Sequence, residues 1–301
     1  MGRLCEGRVC IITGAGGGIG RAHADALARA GALVVVNDVG VAKDGTPEGA
    51  GTAAAAAAAI TAAGGVAVAD TNDIATEAGA SALVATAVEA FGRLDVVVNN
   101  AGILRDKTIL NMSEEDWDAV IRVHLKGTFL VTREAGRHWR EQAKAGATPD
   151  ARIINTTSSA GLYGNVGQAN YGAAKGGIAS FTLVAALELA RYGVTVNAIC
   201  PTALTRMTAD TRFGQSEDAR QGVLDPAWVS PAVVWLASTR SRDVTGRVIV
   251  ASGRNLAVAE GWSRGPTAPP VAEADDVEDV LVPLLAAARP NADLRGTIPE
   301  A

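Results

Sequence analysis

The sequence predicts a doubly wound α/β fold: a seven-stranded parallel sheet with helices on both faces, followed by a C-terminal helical extension. Two observations lead to this prediction. Short β-branched runs alternate with longer Ala-rich helical patterns through most of the chain, and repeated strand–helix–strand units are typical of a parallel sheet. The strand runs are also continuously apolar, as strands buried on both faces require.

The predicted elements alternate along the chain. The strands are Val9–Thr13, Leu33–Asn37, Val66–Ala69, Val96–Asn99, Ile153–Asn155, Val194–Ile199 and Val248–Ala251. The helices are Gly20–Ala30, Gly51–Ala63, Glu77–Phe91, Ser113–Gly136, Tyr171–Tyr192 and Ser230–Ser238. Because Ser113 precedes three acidic residues, we expect it to be the N-cap of its helix, with the acidic side chains in the first turn.

Composition narrows the class of protein. The chain has 301 residues, 48% of them apolar, and a net charge of −5 with both signs dispersed. It has no polybasic block of the kind that binds nucleic acid or an anionic membrane, so we expect neither partner. Cys5, Cys10 and Cys200 lack disulfide or metal-ligand spacing, and the first residues lack the apolar core of a signal peptide. We therefore expect a soluble cytoplasmic protein without a metal site.

A glycine-rich turn, Thr13–Gly20 (TGAGGGIG), joins the first strand to the first helix. Glycines there allow backbone to approach a pyrophosphate, and the helix N-terminus offers free N–H groups to it. Asp38 ends the second strand about 20 residues downstream, where a carboxylate can accept both ribose hydroxyls of a dinucleotide. Asp73 follows the third strand, within reach of an adenine. The alternatives are a strand-end turn residue for Asp38 and a helix N-cap for Asp73.

The stretch Ser158–Lys175 contains the candidate reactive side chains. Tyr171 and Lys175 are four residues apart, so on a helix they share one face, about 5–6 Å apart at Cβ. A nearby ammonium favours the phenolate and lowers the pKa of Tyr171 below its usual value of about 10, which makes Tyr171 a candidate acid/base. Ser158 follows a strand and could polarise a carbonyl at the same point. The alternative is a solvated helix face beside an ordinary serine.

These motifs form an ordered set. Over roughly residues 6 to 255, the chain resembles the short-chain dehydrogenase/reductase family in TGAGGGIG at Thr13, NNAG at Asn99, Ser158 and YGAAK at Tyr171. A further resemblance is to the (3R)-hydroxyacyl-CoA dehydrogenase part of the peroxisomal multifunctional β-oxidation enzyme and to related bacterial enzymes of steroid and fatty-acid breakdown. It rests on VNDVG at Val36, NNAGILRDKT at Asn99, VHLKGTF at Val123 and YGNVGQANY at Tyr163.

The resemblance implies a Rossmann-type fold and hydride transfer between a secondary alcohol or ketone and a nicotinamide cofactor. It implies that Tyr171 is the acid/base, that Ser158 holds the substrate oxygen and that Lys175 binds the nicotinamide ribose. The expected cofactor-binding residues are Gly14, Gly18, Ile19, Gly20, Asp38, Asp73, Asn99, Ala101, Gly102, Tyr171, Lys175 and Thr205. Neither Ala15 nor Val39 supplies a cation for a 2′-phosphate near Asp38, so we expect NAD.

His124 departs from the wider family but matches the hydroxyacyl-CoA subgroup. It stands seven residues after Trp117, where the family has an Asn that bends the helix and holds a water linked to Lys175. A neutral imidazole offers one donor and one acceptor, and its reference pKa is about 6.5. We therefore predict that His124 is a catalytic proton relay that titrates in the working range. The alternative is a packing role.

Residues 1–262 are predicted to form a dinucleotide-binding catalytic domain, with a substrate loop at about 202–228, where periodicity is weak. Residues 263–301 are predicted to be a linker and a helical extension, whose amphipathic pattern in Val271–Arg289 suits packing on this or a neighbouring subunit. The resemblance implies a homotetramer, and the small residues of the Tyr171–Tyr192 helix would let another helix approach closely.

The function expected from the residues and the resemblance is that of an NAD-dependent oxidoreductase. It would interconvert a secondary alcohol and a ketone on a 3-hydroxyacyl-CoA or steroid-derived substrate. One alternative is a 3-oxoacyl carrier-protein reductase of fatty-acid synthesis. Another is a non-catalytic dinucleotide-binding regulator, against which the presence of Ser158, Tyr171 and Lys175 argues.

Overall fold

The computed structural model describes residues 3–46, 49, 51–204 and 215–298. In this part of the chain the sheet has eight strands, in the spatial order β3-β2-β1-β4-β5-β6-β7-β8. They are β1 Val9–Thr13, β2 Leu33–Asn37, β3 Val66–Asp70, β4 Val96–Asn99, β5 Ala151–Thr156, β6 Val194–Pro201, β7 Val248–Ala251 and β8 Leu256–Ala259. The first seven strands are parallel, which confirms the predicted doubly wound sheet, and β8 adds an unpredicted antiparallel edge.

The helices fall close to their predicted positions. They are α1 Gly18–Arg29, α2 Thr52–Ala62, α3 Glu77–Phe91, α4 Glu114–Ile121, α5 Gly127–Lys144, α6 Ser159–Tyr163, α7 Ala169–Leu189, α8 Glu217–Arg220, α9 Ser230–Ala237 and α10 Val277–Ala287. The predicted helix at Ser113–Gly136 is helical throughout, but a π-helical turn, Arg122–Lys126, which the prediction did not include, divides it into α4 and α5. Ser113 is the N-cap of α4, as predicted, and its Oγ accepts a hydrogen bond from the Asp116 N–H at 3.1 Å.

Two apolar cores lie on opposite faces of the sheet. In β1, Cys10 and Ile12 belong to one core, while Val9 and Ile11 belong to the other, because successive side chains of a strand point to opposite faces. The first core is covered by α1, α2 and α9, and the second by α3, α5 and α7. Burial on both faces explains why the strand runs are continuously apolar.

The order of the strands places a crevice at the carboxyl end of β1. The chain winds in one direction from β1 to β3 and then restarts on the other side of β1 at β4, so α1, after β1, and α5, after β4, cover opposite faces of the sheet. Ligands of open α/β sheets bind at such a switch point. The glycine turn follows β1, the NNAG motif begins at the end of β4, and Ser158 follows β5.

The chain after β8 forms an extension around α10. Four apolar side chains of this helix, Val277, Leu281, Val282 and Leu285, are exposed. Elsewhere in the described residues, one stretch, Ala169–Tyr192, is long and apolar enough by length and composition to cross a membrane. A single helix of this kind is weak evidence, because core helices of soluble proteins pass the same test.

Candidate active site

The glycine turn after β1 is shaped by close backbone contacts. Gly14 and Gly18 have φ values of +63° and +56°, which favour glycine. A Cβ on Gly14 would lie 2.7 Å from the Cα of Ala101, and one on Gly20 would lie 2.3 Å from the carbonyl oxygen of Gly14. Ile19 packs partly against the core. The turn is therefore held tightly between α1 and the loop after β4.

Asp38 follows β2 and points back at this turn. Its Oδ2 accepts the Gly16 N–H at 2.9 Å, and its Oδ1 accepts the Gly40 N–H at 2.8 Å and the Thr52 hydroxyl at 2.9 Å. The carboxylate is thus fixed beside the glycine turn, where the ribose of a dinucleotide is expected. Through its bond to the Gly40 N–H, Asp38 also forms a turn at the end of β2. The alternative interpretation of Asp38, a strand-end turn residue, therefore describes a second feature of the same side chain.

Polar side chains connect the carboxyl ends of the central strands. Thr13 Oγ1 accepts the N–H groups of Asn100 and Ala101 at 3.0 and 3.1 Å, and the Asn100 amide donates to the Thr13 carbonyl at 3.0 Å. Asn99 is buried and donates to Asn155 Oδ1 at 2.9 Å, which joins β4 to β5. The sequence analysis assigned Asn99 and Ala101 to this region but missed Thr13 and Asn100.

Asp73 lies in the loop between β3 and α3. Its Oδ1 accepts the Ala75 N–H at 2.9 Å, and its Oδ2 forms an ion pair with Arg122 of the π-helical turn. The N-cap of α3 is Thr76, whose side chain accepts the Gly79 N–H. The alternative of an Asp73 N-cap is therefore wrong.

Ser158, Tyr171 and Lys175 come together as predicted from their spacing. Ser158 lies at the N-cap of α6, where its Oγ accepts the Ala160 N–H at 3.2 Å, and its hydroxyl is near enough to the Tyr171 phenol to lower the pKa of that group. Lys175 is one turn along α7 from Tyr171, with Nζ 5.7 Å from the centre of the Tyr171 ring. Its ammonium donates to the Thr156 carbonyl of β5 at 2.6 Å.

The ionisation of the two residues differs from the sequence-based expectation. Burial raises the pKa of Tyr171 to about 12, although the neighbouring Ser158 hydroxyl lowers this pKa in part. Burial also lowers the pKa of Lys175 to about 7. The predicted fall in the Tyr171 pKa is therefore wrong for the protein alone, because desolvation of the phenol outweighs the effect of a lysine that is itself hard to charge.

His124 occupies the middle of the π-helical turn and is buried against the site. Its Nε2 lies 2.8 Å from the Ile103 carbonyl oxygen and 3.0 Å from the Ile103 nitrogen, and its ring meets the Tyr171 ring edge-on at 5.2 Å between centroids. A Cβ on Gly102 would lie 2.1 Å from His124 Cε1, so glycine is required there. Burial lowers the pKa of His124 to about 3, with Lys175 contributing. The prediction that His124 titrates in the working range is wrong.

Comparison with known proteins identifies the family. The model of the family described as short chain dehydrogenase matches residues 8–216, more than half of the chain. The chain belongs to the short-chain dehydrogenase family. It is therefore an oxidoreductase, and members of this family typically use NAD or NADP.

Individual relatives agree with this assignment. Hydroxyacyl-CoA dehydrogenase ChsB1 of Mycobacterium tuberculosis is 51% identical over 255 residues, which are 82% of this chain and 78% of that protein. Peroxisomal multifunctional enzyme type 2 of Mus musculus is 45% identical over 248 residues, which are 82% of this chain but 32% of that protein. A crystal structure of a short chain dehydrogenase from Mycobacterium avium has a TM-score of 0.86 and 52% identity, and the match covers 96% of this chain and 98% of that one. The predicted resemblance is confirmed.

Asn170 is a buried residue of this dehydrogenase that the sequence analysis missed. Its side-chain amide donates to the carbonyls of Arg105 and Asp116, both at 3.0 Å, and its Oδ1 accepts the N–H of Tyr171 at 2.7 Å. It therefore ties the first turn of α7, which carries Tyr171, to the loop after β4 and to α4. The only sequence signal is its place immediately before Tyr171.

Cys200 is a second buried residue that sequence reasoning considered only for redox chemistry. It lies near the carboxyl end of β6, close enough to interact electrostatically with Lys175 and Tyr171. Burial raises the pKa of its thiol to about 12, so the group is neutral near pH 7. Because the thiol is neutral, it does not offset the hydration that the charged form of Lys175 loses on burial.

Thr205, predicted at the cofactor, lies outside the described residues, as does much of the predicted substrate loop. The described part of that loop contains α8 and a short 3₁₀ helix, Pro226–Trp228. Trp228 is 58% exposed. The predicted substrate loop is therefore not wholly irregular.

The site fits a nicotinamide dinucleotide. The glycine contacts leave backbone, rather than side chains, facing the N-terminus of α1, and its N-cap residue, Gly17, carries no side chain to occupy the first N–H groups. Asp38 marks the ribose end beside the turn. Tyr171 and Lys175 then mark the reactive end, beyond the close contact of Gly14 with Ala101.

Proposed function

We propose that this dehydrogenase uses NAD to interconvert a 3-hydroxyacyl-CoA and the corresponding 3-oxoacyl-CoA. The observation that carries the proposal is that Ser158, Tyr171 and the buried Lys175 lie together at the carboxyl end of β5, in a chain 51% identical to a protein named hydroxyacyl-CoA dehydrogenase. A steroid-derived acyl group remains within the proposed substrate class.

The chemistry follows from the positions of the side chains. A bound nicotinamide would supply the hydride acceptor. Ser158 and Tyr171 hold the substrate oxygen between two hydroxyl groups, and Tyr171 takes the hydroxyl proton as the alcohol is oxidised. Lys175 contacts the ribose and, when protonated, favours the phenolate form of Tyr171. Asn170 fixes the backbone of Tyr171, and His124 packs against the Tyr171 ring while bonding the backbone of Ile103.

Asp38 supports NAD over NADP. A 2′-phosphate at about 4 Å from a carboxylate is opposed by roughly 4 kcal/mol per charge pair at an effective dielectric constant near 20, which corresponds to about a thousandfold in affinity. The half-buried carboxylate is already held by three donors, so it cannot easily turn away from the phosphate.

The test measures nicotinamide absorbance with a panel of 3-hydroxyacyl-CoA thioesters, acyl carrier-protein esters and free steroid alcohols, each with NAD and NADP. The proposal predicts the highest kcat/KM for a CoA thioester with NAD. A preference for the carrier-protein ester and NADP would support a reductase of fatty-acid synthesis instead. Cofactor binding without turnover of any substrate would support a dinucleotide-binding regulator.

We also propose a cytoplasmic homotetramer. The small-residue face of α7 packs within its own chain, since a Cβ on Gly161 of α6 would lie 2.5 Å from the Gly176 nitrogen. The exposed apolar surface of α5 and α7 consists instead of Phe129, Leu183, Val184 and Leu187. Burial of this surface against other copies would explain it. Light scattering at micromolar concentration tests the proposal, and a monomer would contradict it.

A further inference from the structure

Residues 41–46, which we term the strap, form a compact turn between β2 and α2. Two backbone bonds close the turn, from the Ala42 N–H to the Thr46 carbonyl at 2.8 Å and from the Gly45 N–H to the Ala42 carbonyl at 3.0 Å. Asp44 Oδ1 accepts the Thr46 N–H at 3.0 Å and the Thr46 hydroxyl at 2.7 Å. The shape of the strap is therefore set by its own hydrogen bonds.

The strap is bonded to residues 103–105, which follow the NNAG motif and which we term the anchor loop. The Leu104 N–H donates to the Lys43 carbonyl at 2.7 Å, and Arg105 Nε donates to the Asp44 carbonyl at 2.9 Å. Arg105 and Asp44 are 61 residues apart in the sequence. Adjacent residues of the two segments are thus joined by two adjacent hydrogen bonds.

Apolar contacts extend this junction toward the catalytic groups. A Cβ on Gly45 would lie 3.2 Å from Ile103 Cδ1, so the turn of the strap lies against that side chain. Val41 packs on the small apolar cluster that contains Ile103, and Tyr171 packs on the same cluster. Ile103 is also hydrogen-bonded through its backbone to His124. The junction is therefore continuous with the packing around the reactive phenol.

The path of the strap crosses the crevice at the carboxyl end of β1. On one side of the crevice, Asp38 accepts the Gly16 N–H of the glycine turn, and the strap begins shortly after Asp38. On the other side, the anchor loop begins shortly after Ala101, which meets Gly14 at the floor of the crevice. Because this backbone contact closes the floor, the strap crosses above it, over the space where the adenosine half of a dinucleotide is expected.

We propose that the strap is a gate over the cofactor, and that Arg105 is the positioning residue that holds the gate shut. A dinucleotide enters and leaves when the two hydrogen bonds to the anchor loop open. The gate is closed in the protein with and without cofactor, so it slows entry and release alike and leaves the equilibrium affinity unchanged. The inference rests on the proposed function only for its nicotinamide cofactor and not for the acyl-CoA substrate.

The first test weakens the anchor. Arg105→Leu loses the bond to the Asp44 carbonyl, together with the ion pairs to Glu115 at 2.9 Å and to Asp116 at 3.9 Å. Glu115→Gln is the matched control, because it breaks the shorter ion pair and leaves the bond to the strap. In stopped-flow fluorescence with NADH, we expect Arg105→Leu to raise the association and dissociation rate constants about fivefold each, with the dissociation constant within about twofold. Glu115→Gln should leave all three values near those of the parent protein.

The second test lifts the strap without changing a charge. Gly45→Ala places a methyl group 3.2 Å from Ile103 Cδ1 at a φ of +90°. Gly146 has a φ of +88°, and a Cβ there would meet nothing within 4 Å, so Gly146→Ala carries the same backbone strain without the collision. We expect Gly45→Ala to raise both rate constants for NADH in the same proportion, and Gly146→Ala to change neither.

Hydrogen exchange in the absence of cofactor tests the anchor directly. The Leu104 N–H is protected by its bond to the Lys43 carbonyl, so its exchange should be several times faster in Arg105→Leu and Gly45→Ala than in the two controls. Unchanged exchange at Leu104 in both test variants would overturn the anchor.

The rate constants decide whether the anchored strap is a gate. Unchanged NADH rate constants in both test variants would place the strap outside the path of the cofactor and overturn the inference. A weaker affinity with an unchanged association rate constant would also overturn it, because the strap would then be a contact of the bound cofactor. NADH binding needs no substrate, so failure of the hydroxyacyl-CoA proposal leaves the test intact. If NADPH binds more tightly than NADH, the proposed preference for NAD fails, and the same rate constants are measured with NADPH.

Discussion

Two buried cations lie at opposite ends of the same strand. Arg152, the second residue of β5, is 1% exposed, and Lys175, whose ammonium donates to the Thr156 carbonyl at the far end of β5, is 3% exposed. Arg152 Nη2 lies 2.6 Å from Asp150 Oδ1 as an ion pair without an aligned hydrogen bond. Within the described part of the chain, the recorded neighbours of the Lys175 charge are neutral groups: the Thr156 carbonyl, the Cys200 thiol, the Tyr171 ring and the His124 imidazole.

Arg152 has a carboxylate partner, and among the described residues Lys175 has none. This difference distinguishes a cation with a structural role from one with a role in catalysis. Burial lowers the pKa of both groups, but the Asp150 carboxylate works against this at Arg152, which also donates to the carbonyls of Ser238 and Ala151. Lys175 lacks such compensation, and its pKa falls to about 7. A buried charge without a counter-ion costs stability, and perturbed groups of this kind cluster at functional sites. The buried cation at the amino end of the sheet therefore contributes to stability, and the one at the carboxyl end contributes to catalysis.

The largest expected effect tests the carboxyl end. Tyr171→Phe removes the proton acceptor next to Ser158 while leaving the aromatic ring, so turnover should fall about a thousandfold. Cofactor affinity, measured by fluorescence titration with NADH, should be nearly unchanged because Lys175 and the glycine turn remain. The midpoint of thermal unfolding should not fall. Near-normal turnover would move the site elsewhere in the molecule.

A substitution at the amino end of the sheet should lower stability and leave turnover unchanged. Asp150→Asn removes the carboxylate shared by Arg8 and Arg152. Because Asp150 is itself 47% exposed, we expect the free energy of unfolding to fall by about 2 kcal/mol, less than for a fully buried pair, with kcat unchanged. Glu141→Gln is the control, since Glu141 pairs with Arg140 and Lys144 at the surface and its loss should leave the free energy of unfolding nearly unchanged. Equal effects of the two variants would remove the distinction between the ends.

How much of the fold and of the candidate site could be predicted depends on whether the sequence pattern that predicts each feature is local. Continuous apolar runs predicted seven strands, but β8 has four residues, LAVA, of which three are exposed, so neither length nor burial marks it. The π-helical turn leaves no periodic signal, since residues 122–126 carry the same amphipathic pattern as the helices around them. The glycine turn, Asp38 and the Tyr171–Lys175 spacing are local patterns, and the structure places them as expected.

The features that sequence reasoning missed depend on long-range contacts. Asn170 acts on Tyr171 through its bonds to Arg105 and Asp116, more than 50 residues away. The direction of the Tyr171 pKa depends on how deeply α7 is buried, which a spacing of four residues cannot reveal. The same burial makes His124 too hard to protonate for the predicted titration.

An effect of similar size and opposite sign tests the cost of leaving Lys175 uncompensated. The folded pKa of about 7 lies below the ordinary lysine value of 10.5, so the unfolded chain binds more protons between these values and stability should rise with pH there. Lys175→Met removes the penalty and should raise the free energy of unfolding by about 2 kcal/mol at about pH 6, after allowing for the lost bond to Thr156.

Denaturant unfolding at several pH values checks this. The gain should shrink as the pH rises toward about 10, because the penalty in the parent protein disappears there. Lys144→Met, at an exposed lysine that pairs with Glu141, should show little change at any pH. A destabilised Lys175→Met variant at low pH, or a gain independent of pH, would mean that Lys175 is not a strained cation.

The smallest effect concerns His124, which lies close to Lys175 but should not titrate with it. Because its pKa is about 3, the imidazole stays neutral above about pH 5, and its role is to bond the backbone of Ile103. Nε2 makes one of these two bonds, according to the tautomer, and an amide carries both a donor and an acceptor that could replace it, so His124→Asn should keep kcat within about threefold. His124→Ala should lower kcat by about tenfold, because it leaves a cavity and unpaired backbone groups beside Tyr171. In both variants the pH–rate profile should keep its midpoint, since the groups that titrate are Tyr171 and Lys175. A shifted midpoint in His124→Asn would restore the proton-relay interpretation, while full activity of His124→Ala would reduce His124 to a packing residue.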